Sequence, residues 1–330
     1  MKTISLLEPL REDLERVEQK LREPTHLEYP QLTAVLQSLL DSGGKRVRPA
    51  LALLAGSFYP TDGQKLVSLA ASVEMLHTAT LVHDDLIDGA LVRRGSNTLN
   101  SRWSTGATVL MGDYLFARAA DLAAATNDVR VMAIFSETLM TICSGELRQI
   151  FDRHNLPRVD DDAAWEEALA RYDQRIHAKT ASLFRAATEA AAVLGGASPE
   201  QEVALGDYGR LLGTAFQIVD DVLDFEGDES VLGKPVGSDL REGIVTLPVL
   251  HFLRDHPQDG RVAAILESAE DDALVREVVA AIRASGATGR AMERAQRLVA
   301  QSQEALSVLP DTESRALMWS LADYTVSRDK

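Results

Sequence analysis

Apolar residues recur at helical spacing along nearly the whole chain. The opening segment shows the pattern, with apolar side chains at positions 6, 7, 10, 14, 17 and 21 on one face of an amphipathic helix. The same periodicity predicts helices over 5–22, 29–41, 49–59, 62–89, 103–125, 128–152, 160–194, 199–225, 244–254, 260–269, 271–285, 287–307 and 312–327. Alternating apolar and polar runs are scarce, so the predicted fold class is all-α. Breakers fall between the segments: Ser42-Gly43-Gly44, Tyr59-Pro60, Gly95-Ser96, Asn155-Leu156-Pro157, Gly195-Gly196 and the stretch from Gly227 to Gly237. No shift of composition and no low-complexity linker marks a domain boundary, so 1–330 is expected to be one domain.

Composition sharpens this picture. The 330 residues are 45% apolar, enough for a sizeable core. The single cysteine, Cys143, excludes an internal disulfide and gives no thiolate metal site, which fits a reducing cytoplasm. A net charge of −16 would repel nucleic acid from most of the surface. The N-terminal segment is too short in apolar residues, and too quickly acidic, for a signal peptide. No uninterrupted apolar window reaches the length of a membrane span.

Two aspartate clusters change the reading from bulk to chemistry. HDDLIDGALVRRG carries Asp84, Asp85 and Asp88, and QIVDDVLDFEGD carries Asp220, Asp221 and Asp224. Each ends a long apolar helical run. Grouped carboxylates repel one another unless a cation or proton neutralises them. Helix C-termini are also unfavourable places for negative charge. Positions i and i+4 differ by about 40° around a helix. Asp84 therefore projects beside Asp88, and Asp220 beside Asp224, each pair able to hold Mg²⁺ through oxygen while leaving positions for water or phosphate. Asp85 and Asp221 point elsewhere, toward a further ion or the shell behind it.

Basic residues stand out against the acidic background. Lys45, Arg46 and Arg48 follow Gly43-Gly44 at a helix start, and Arg93 and Arg94 follow the first aspartate cluster. Guanidinium groups grip phosphate oxygens in pairs, lysine acts as a mobile point charge, and helix N-terminal amides add to the site. Two carboxylate clusters and two basic clusters point to two phosphorylated substrates.

With these motifs the chain resembles the trans-isoprenyl diphosphate synthases, or polyprenyl synthetases, over about residues 30–255. The resemblance rests on GGKRVRP (43–49), HTATLVHDDLIDGALVRRG (77–95), GDYLFA (112–117), KTASLF (179–184), FQIVDDVLDF (216–225) and GKPVGSDLREGIVTLP (233–248). It implies an all-α isoprenoid-synthase bundle around a deep central cavity, usually a homodimer. It implies about two or three Mg²⁺ ions held by Asp84, Asp85, Asp88, Asp220, Asp221 and Asp224. Asp84, Asp88, Asp220, Lys179 and Lys234 would carry the catalysis. Arg93, Lys179, Thr180, Gln217 and Lys234 would contact an allylic diphosphate. Lys45, Arg48, His77 and Arg94 would bind isopentenyl diphosphate, with Gly44 lending its backbone. One departure is Ile244, where many relatives carry lysine.

Chain-length control in the family lies four and five residues before the first aspartate, here Thr80 and Ala79, with Leu76 one turn further back. These residues are small or aliphatic, and no Phe, Tyr or Trp occurs from 60 to 88. A product of about six isoprene units or more is expected, because nothing bulky caps the first turns. Residues of neighbouring helices around Tyr114 or Met140 are the other candidates for the pocket floor. The competing readings are a short-chain synthase, a class I terpene cyclase and a non-catalytic subunit of a heteromeric synthase. Transient membrane contact for release of a lipid product completes the expectations.

Overall fold

The computed structural model describes residues 6–23, 30–41, 44–93, 96–227, 235–268 and 271–327. Helices dominate: α1 (Arg11–Arg22), α2 (Pro30–Asp41), α3 (Val47–Gly56), α4 (Gly63–Ile87), α5 (Thr105–Ala124), α6 (Val129–Asp152), α7 (Asp162–Ile176), α8 (Ser182–Gly195) and α9 (Pro199–Glu226). Then come the short α10 (Ser238–Arg241), α11 (Leu247–Asp255), α12 (Arg261–Glu267), α13 (Asp272–Ala284), α14 (Ala287–Ala305) and α15 (Glu313–Ser327). The predicted helix ends fall within a few residues of these bounds. Three features were not foreseen. A two-strand hairpin pairs β1 (Val92–Arg93) with β2 (Ser96–Asn97). Helix α10 follows the second aspartate motif. A π turn at His177–Ala181 divides the segment read as one helix over 160–194.

Side-chain oxygens set several starts. Asp62 accepts from the amides of Gln64 and Lys65 ahead of α4, and Asp128 accepts from Arg130 and Val131 ahead of α6. Asp161 and Asp271 do the same for α7 and α13. Each cap satisfies amides that the helix itself leaves unpaired, at about 1 kcal/mol.

The chain forms two compact units. The first draws on Met1–Thr138, Leu183–Gly209 and Ala305–Leu321. Its centre is α4, apolar on nearly every side, packed against α3, α5 and α1. Ala70, Met75 and Leu76 of α4, Leu51 of α3, Leu115 of α5 and Leu21 of α1 are buried. Helix α4 is long and apolar enough to cross a membrane, although charged and polar residues interrupt its apolar run. Most of it is instead core. In the same unit the Tyr208 hydroxyl donates to the Met318 carbonyl at 2.7 Å.

The second unit draws on Leu139–Ser182, Arg210–Glu304 and Ala322–Lys330. Leu247, Val249 and Phe252 of α11 and Val275, Val278 and Ile282 of α13 are buried there, and α11 also packs on α7. Gly145 of α6 permits a close approach to the π turn: a Cβ at that position would lie 2.3 Å from that of Ala178.

Candidate active site

In the first unit, α4 delivers Asp84 half-buried, Asp85 buried and Asp88 exposed. Asp88 caps the helix in right-handed conformation, its amide on the Asp84 carbonyl at 2.8 Å. Asp84 and Asp88 therefore lie one helical turn apart up to the last residue of the helix. Asp85 has a different job. Arg93 Nε donates to Asp85 Oδ1 at 2.5 Å, and Asn100 Nδ2 to the Asp85 carbonyl at 3.2 Å. Burial pushes the Asp85 carboxyl up, and the bond from Arg93 pulls it back. Asp85 thus anchors the hairpin carrying Arg93. Arg94 lies outside the described residues.

His77 stands two turns before Asp84 on α4, half-buried. Ala79 and Leu76 are buried, and the Thr80 hydroxyl donates back to the His77 carbonyl at 2.8 Å. Beneath them, a small cavity is lined by Ser72, Val73 and Leu76 of α4, Phe135 of α6 and Leu183 and Ala186 of α8. The Ser72 hydroxyl is spent on the Ala119 carbonyl at 2.8 Å, so the wall it adds is apolar. Phe135 is the aromatic of this wall. Met140, one of the expected floor residues, is 65% exposed, and Tyr114 does not line the cavity.

The basic loop before α3 divides in the same way. Gly44 and Lys45 are exposed. Arg48 is half-buried, with its guanidinium 4.9 Å over the Phe184 ring. Arg46 is structural: it adopts left-handed backbone, with φ 51°, at the N-cap of α3. Its guanidinium is held by Glu18, by Glu74 at 2.6 Å and by the Leu40 carbonyl at 3.1 Å.

In the second unit, α9 carries Asp220 half-buried, but Asp221 and Asp224 are each 2% exposed. Asp224 does not stand open beside Asp220 as the spacing suggested. Its carboxylate accepts from the Ser238 hydroxyl at 2.7 Å, the Ser238 amide at 3.3 Å and the Asp239 amide at 3.2 Å. The negative charge is thereby used to start α10 and to fix the return of the chain after the motif.

Asp221 ends a hydrogen-bonded row. The Thr180 hydroxyl donates to Gln217 Oε1 at 2.6 Å, Gln217 Nε2 donates to Asp221 Oδ1 at 2.9 Å, and the Tyr172 hydroxyl donates to Asp221 Oδ2 at 2.7 Å. Both ends of the Gln217 amide are thus occupied. Burial raises the Asp221 carboxyl, and the bonds from Gln217 and Tyr172 counter it. Burial also raises the Tyr172 phenol, with the neighbouring Asp221 charge adding to it. Tyr172 thus stays a donor. The π turn makes the row possible. Eight residues of regular helix leave Tyr172 and Thr180 roughly 80° apart. An i→i+5 turn winds more slowly and takes back about 70° of this by Thr180. Lys179, in the same turn, lies 3.1 Å from Glu146. Lys234 lies outside the described residues.

Among the described residues no three acidic, histidine or cysteine side chains converge on one point. Within the first unit Asp84 is half-buried and Asp88 exposed, and within the second Asp220 is half-buried. Carboxylates of this kind fit Mg²⁺, which keeps several waters and binds through one or two carboxylates plus substrate phosphates. Sequence reasoning missed Tyr172, Glu146, Ser238 and Phe135. Tyr172 lies far in sequence from Asp221, and only the fold joins them. Ser238 alone had a local signal, at a helix start after a glycine.

The crystal structure of a polyprenyl synthase from Caulobacter crescentus CB15, complexed with calcium and isoprenyl diphosphate, superposes with a TM-score of 0.87 at 34% identity, covering 99% of this chain and 98% of that one. The fold is therefore the all-helical isoprenoid-synthase fold. The polyprenyl synthetase family profile matches residues 29–282. Octaprenyl diphosphate synthase of Escherichia coli (strain K12) is 38% identical over 294 residues, 88% of each chain. Heptaprenyl diphosphate synthase component 2 of Geobacillus stearothermophilus is 37% identical over 329 residues, 100% of each. The chain belongs to the polyprenyl synthetase family.

Proposed function

We propose that this protein is a long-chain trans-polyprenyl diphosphate synthase, condensing an allylic diphosphate repeatedly with isopentenyl diphosphate and releasing diphosphate. The observation that carries the chain length is the wall below the first aspartate motif. From Ala79 through Leu76 to Val73 and Ser72 it is small or aliphatic, and it leads to a cavity of about 20 Å³, which a growing chain would have to enlarge by displacing Phe135. The octaprenyl and heptaprenyl relatives support the same length class.

Asp84, Asp88 and Asp220 are the Mg²⁺ ligands in this reading, and Asp85, Asp221 and Asp224 hold them in place. Bound Mg²⁺ supplies the Lewis-acid neutralisation of the leaving diphosphate. Arg93, Lys179 and Lys234 steady the allylic diphosphate, and Thr180 and Gln217 act through Asp221. Gly44, Lys45, Arg48, His77 and Arg94 position isopentenyl diphosphate, whose double bond attacks the allylic carbon as its C–O bond breaks. The proton then lost from the new chain passes to the departing diphosphate. Buried Ala79, Leu76 and Val73 keep water from the cation.

The family profile spans residues from both compact units, which supports one polyprenyl synthetase domain over 1–330. A homodimer is supported by the exposed stripe of Met140, Leu147, Ile150 and Phe151 on α6. The net charge of −16 argues against nucleic acid as a partner, and the free Cys143 suits the cytoplasm. Release of the lipid product involves transient membrane contact. The heptaprenyl component 2 relative favours one second reading, in which this chain works with another subunit.

The test is an assay of the purified chain alone with Mg²⁺, an allylic diphosphate and isopentenyl diphosphate, reading the mass of the dephosphorylated product. Products of about six isoprene units or more are expected, and Ala79→Phe shortens them, because a ring at that turn blocks the wall. Identical products from the variant and the parent refute the pocket. An inert parent that is revived by a second subunit favours the heteromeric reading.

A further inference from the structure

We infer that Arg175 is a diphosphate-binding residue of this chain, supplying beside the second aspartate motif the positive charge that Ile244 omits. The inference rests on the synthase reading above and deepens it. Its starting point is a cavity of about 420 Å³ within the second unit, whose lining includes Tyr172, Arg175, Arg148, Ile244 and Val245.

Arg175 lies on the face of α7 that turns toward Asp221. Tyr172, one turn before it, donates to Asp221, and Thr180, one turn after it, reaches Asp221 through Gln217. A half-buried guanidinium between those two contacts is committed to the same neighbourhood. Its hydrogen-bond and ring partners are neutral, while its charge also reaches the buried Asp221 carboxylate. Nη2 donates to the Val245 carbonyl at 2.6 Å, and the guanidinium carbon sits 5.4 Å from the Tyr172 ring centre. Among the described residues no carboxylate lies within 4 Å of it. Two other arginines of this lining are paired with acids, Arg158 with Asp160 at 3.1 Å and Arg171 with Glu167 at 2.6 Å. The chain carries 50 acids and 34 bases, so a half-buried cation without an acid is not the default.

One carbonyl and one aromatic face leave most of the five guanidinium N–H groups for another acceptor. A planar fork of donors facing a cavity matches phosphate oxygens, which it binds in pairs. The bond to Val245 also ties Arg175 next to Ile244, the position where the family pattern places lysine. The charge has moved from the loop before α11 to the neighbouring helix.

The test uses Arg175→Gln, which keeps a donor for the Val245 carbonyl and removes the charge, together with Ile244→Lys and the double variant. Steady-state rates are measured with the allylic diphosphate and isopentenyl diphosphate varied separately. The expected result is a fall of about tenfold in kcat/KM for the allylic substrate, since a charge-assisted bond is lost. KM for isopentenyl diphosphate should stay within about twofold, and Ile244→Lys in the Arg175→Gln background should recover most of the loss. A purely structural Arg175 predicts a lower thermal midpoint, losses on both substrates and no recovery by lysine, and that pattern overturns the inference. So does an Arg175→Gln rate within about twofold of the parent. Should Arg175→Gln not fold, Arg175→Lys, which keeps the charge without the fork, is expected to weaken Mg²⁺-dependent binding of inorganic pyrophosphate by about threefold or more; unchanged binding overturns the inference. An inactive parent would instead count against the synthase reading itself.

Discussion

Replacing Arg46 by methionine tests how the loop before α3 is held. Glu74 projects from α4 with its side chain only 6% exposed, and Arg46 Nη1 meets it at 2.6 Å. Burial works against the charge on Arg46, and Glu74 and Glu18 outweigh it, holding the guanidinium pKa above its ordinary value. Arg46 also keeps a left-handed backbone, which costs a non-glycine residue on the order of 1 kcal/mol. In this conformation the guanidinium reaches Glu74, Glu18 and the Leu40 carbonyl together, and those contacts offset the strain. Removing one partner of a buried pair typically costs about 3–5 kcal/mol. Arg46 itself is only half-buried and Glu18 is partly solvated, so about 3 kcal/mol is the figure to expect. With a urea slope near 3 kcal/mol per M, the unfolding midpoint should fall by about 1 M. The double variant Arg46→Met/Glu74→Met removes both charges and should recover to within about 1 kcal/mol of the parent. Lys45 and Arg48 flank Arg46, so the single variant should also raise KM for isopentenyl diphosphate. A single variant within about 0.5 kcal/mol of the parent, or a double variant as unstable as the sum of both singles, would refute the pairing argument.

Two further outcomes follow from the second unit. Burial, and then the Arg290 guanidinium, hold the His251 imidazole down at about 4. The unfolded chain binds a proton between about pH 6.5 and 4 that the folded chain does not, so this contribution is complete above 6.5 and is lost as pH falls toward 4. Discounted for the exposed part of the ring, His251→Gln should narrow the stability difference between pH 7 and pH 4.5 by about 1–2 kcal/mol, and equal slopes for parent and variant would count against it. Asp224→Ala removes the acceptor for Ser238 and Asp239 and should cost about 2–3 kcal/mol, with faster amide hydrogen exchange at Ser238 and Asp239. Unchanged exchange there would leave Asp224 without its anchoring role.

The helices were legible because each buries a stripe that repeats at helical spacing, and their ends were legible because Asp62, Asp161, Gly195 and the loop after Asp255 interrupt it. The one-turn spacing of Asp84 and Asp88 was legible for the same reason, being a property of one helix. What spacing could not reveal was competition for the remaining carboxylates. Asp224 has the same i,i+4 relation to Asp220 as Asp88 has to Asp84. Yet Ser238 folds back on it, while Asp88 stays exposed at its helix end. Asp85 and Asp221 are likewise claimed by Arg93 and Tyr172, each brought there by a turn of the chain. The hairpin at Val92–Asn97 is too short to show an alternation, and α10 is one turn long, so neither leaves a periodic trace.

The π turn at His177–Ala181 has a consequence for how this segment tolerates change. Swapping one side chain there alters one contact. Deleting one residue would let the backbone heal into ordinary helix, in which the seven remaining steps leave Tyr172 and Thr180 only about 20° apart, close to the offset the slower winding gives now. Both would still face α9, nearer to each other along the axis by about 1.5 Å. The turn therefore stores one extra residue without rotating the helix that follows it, and a change of length by that one residue should be better tolerated here than anywhere else within the helices.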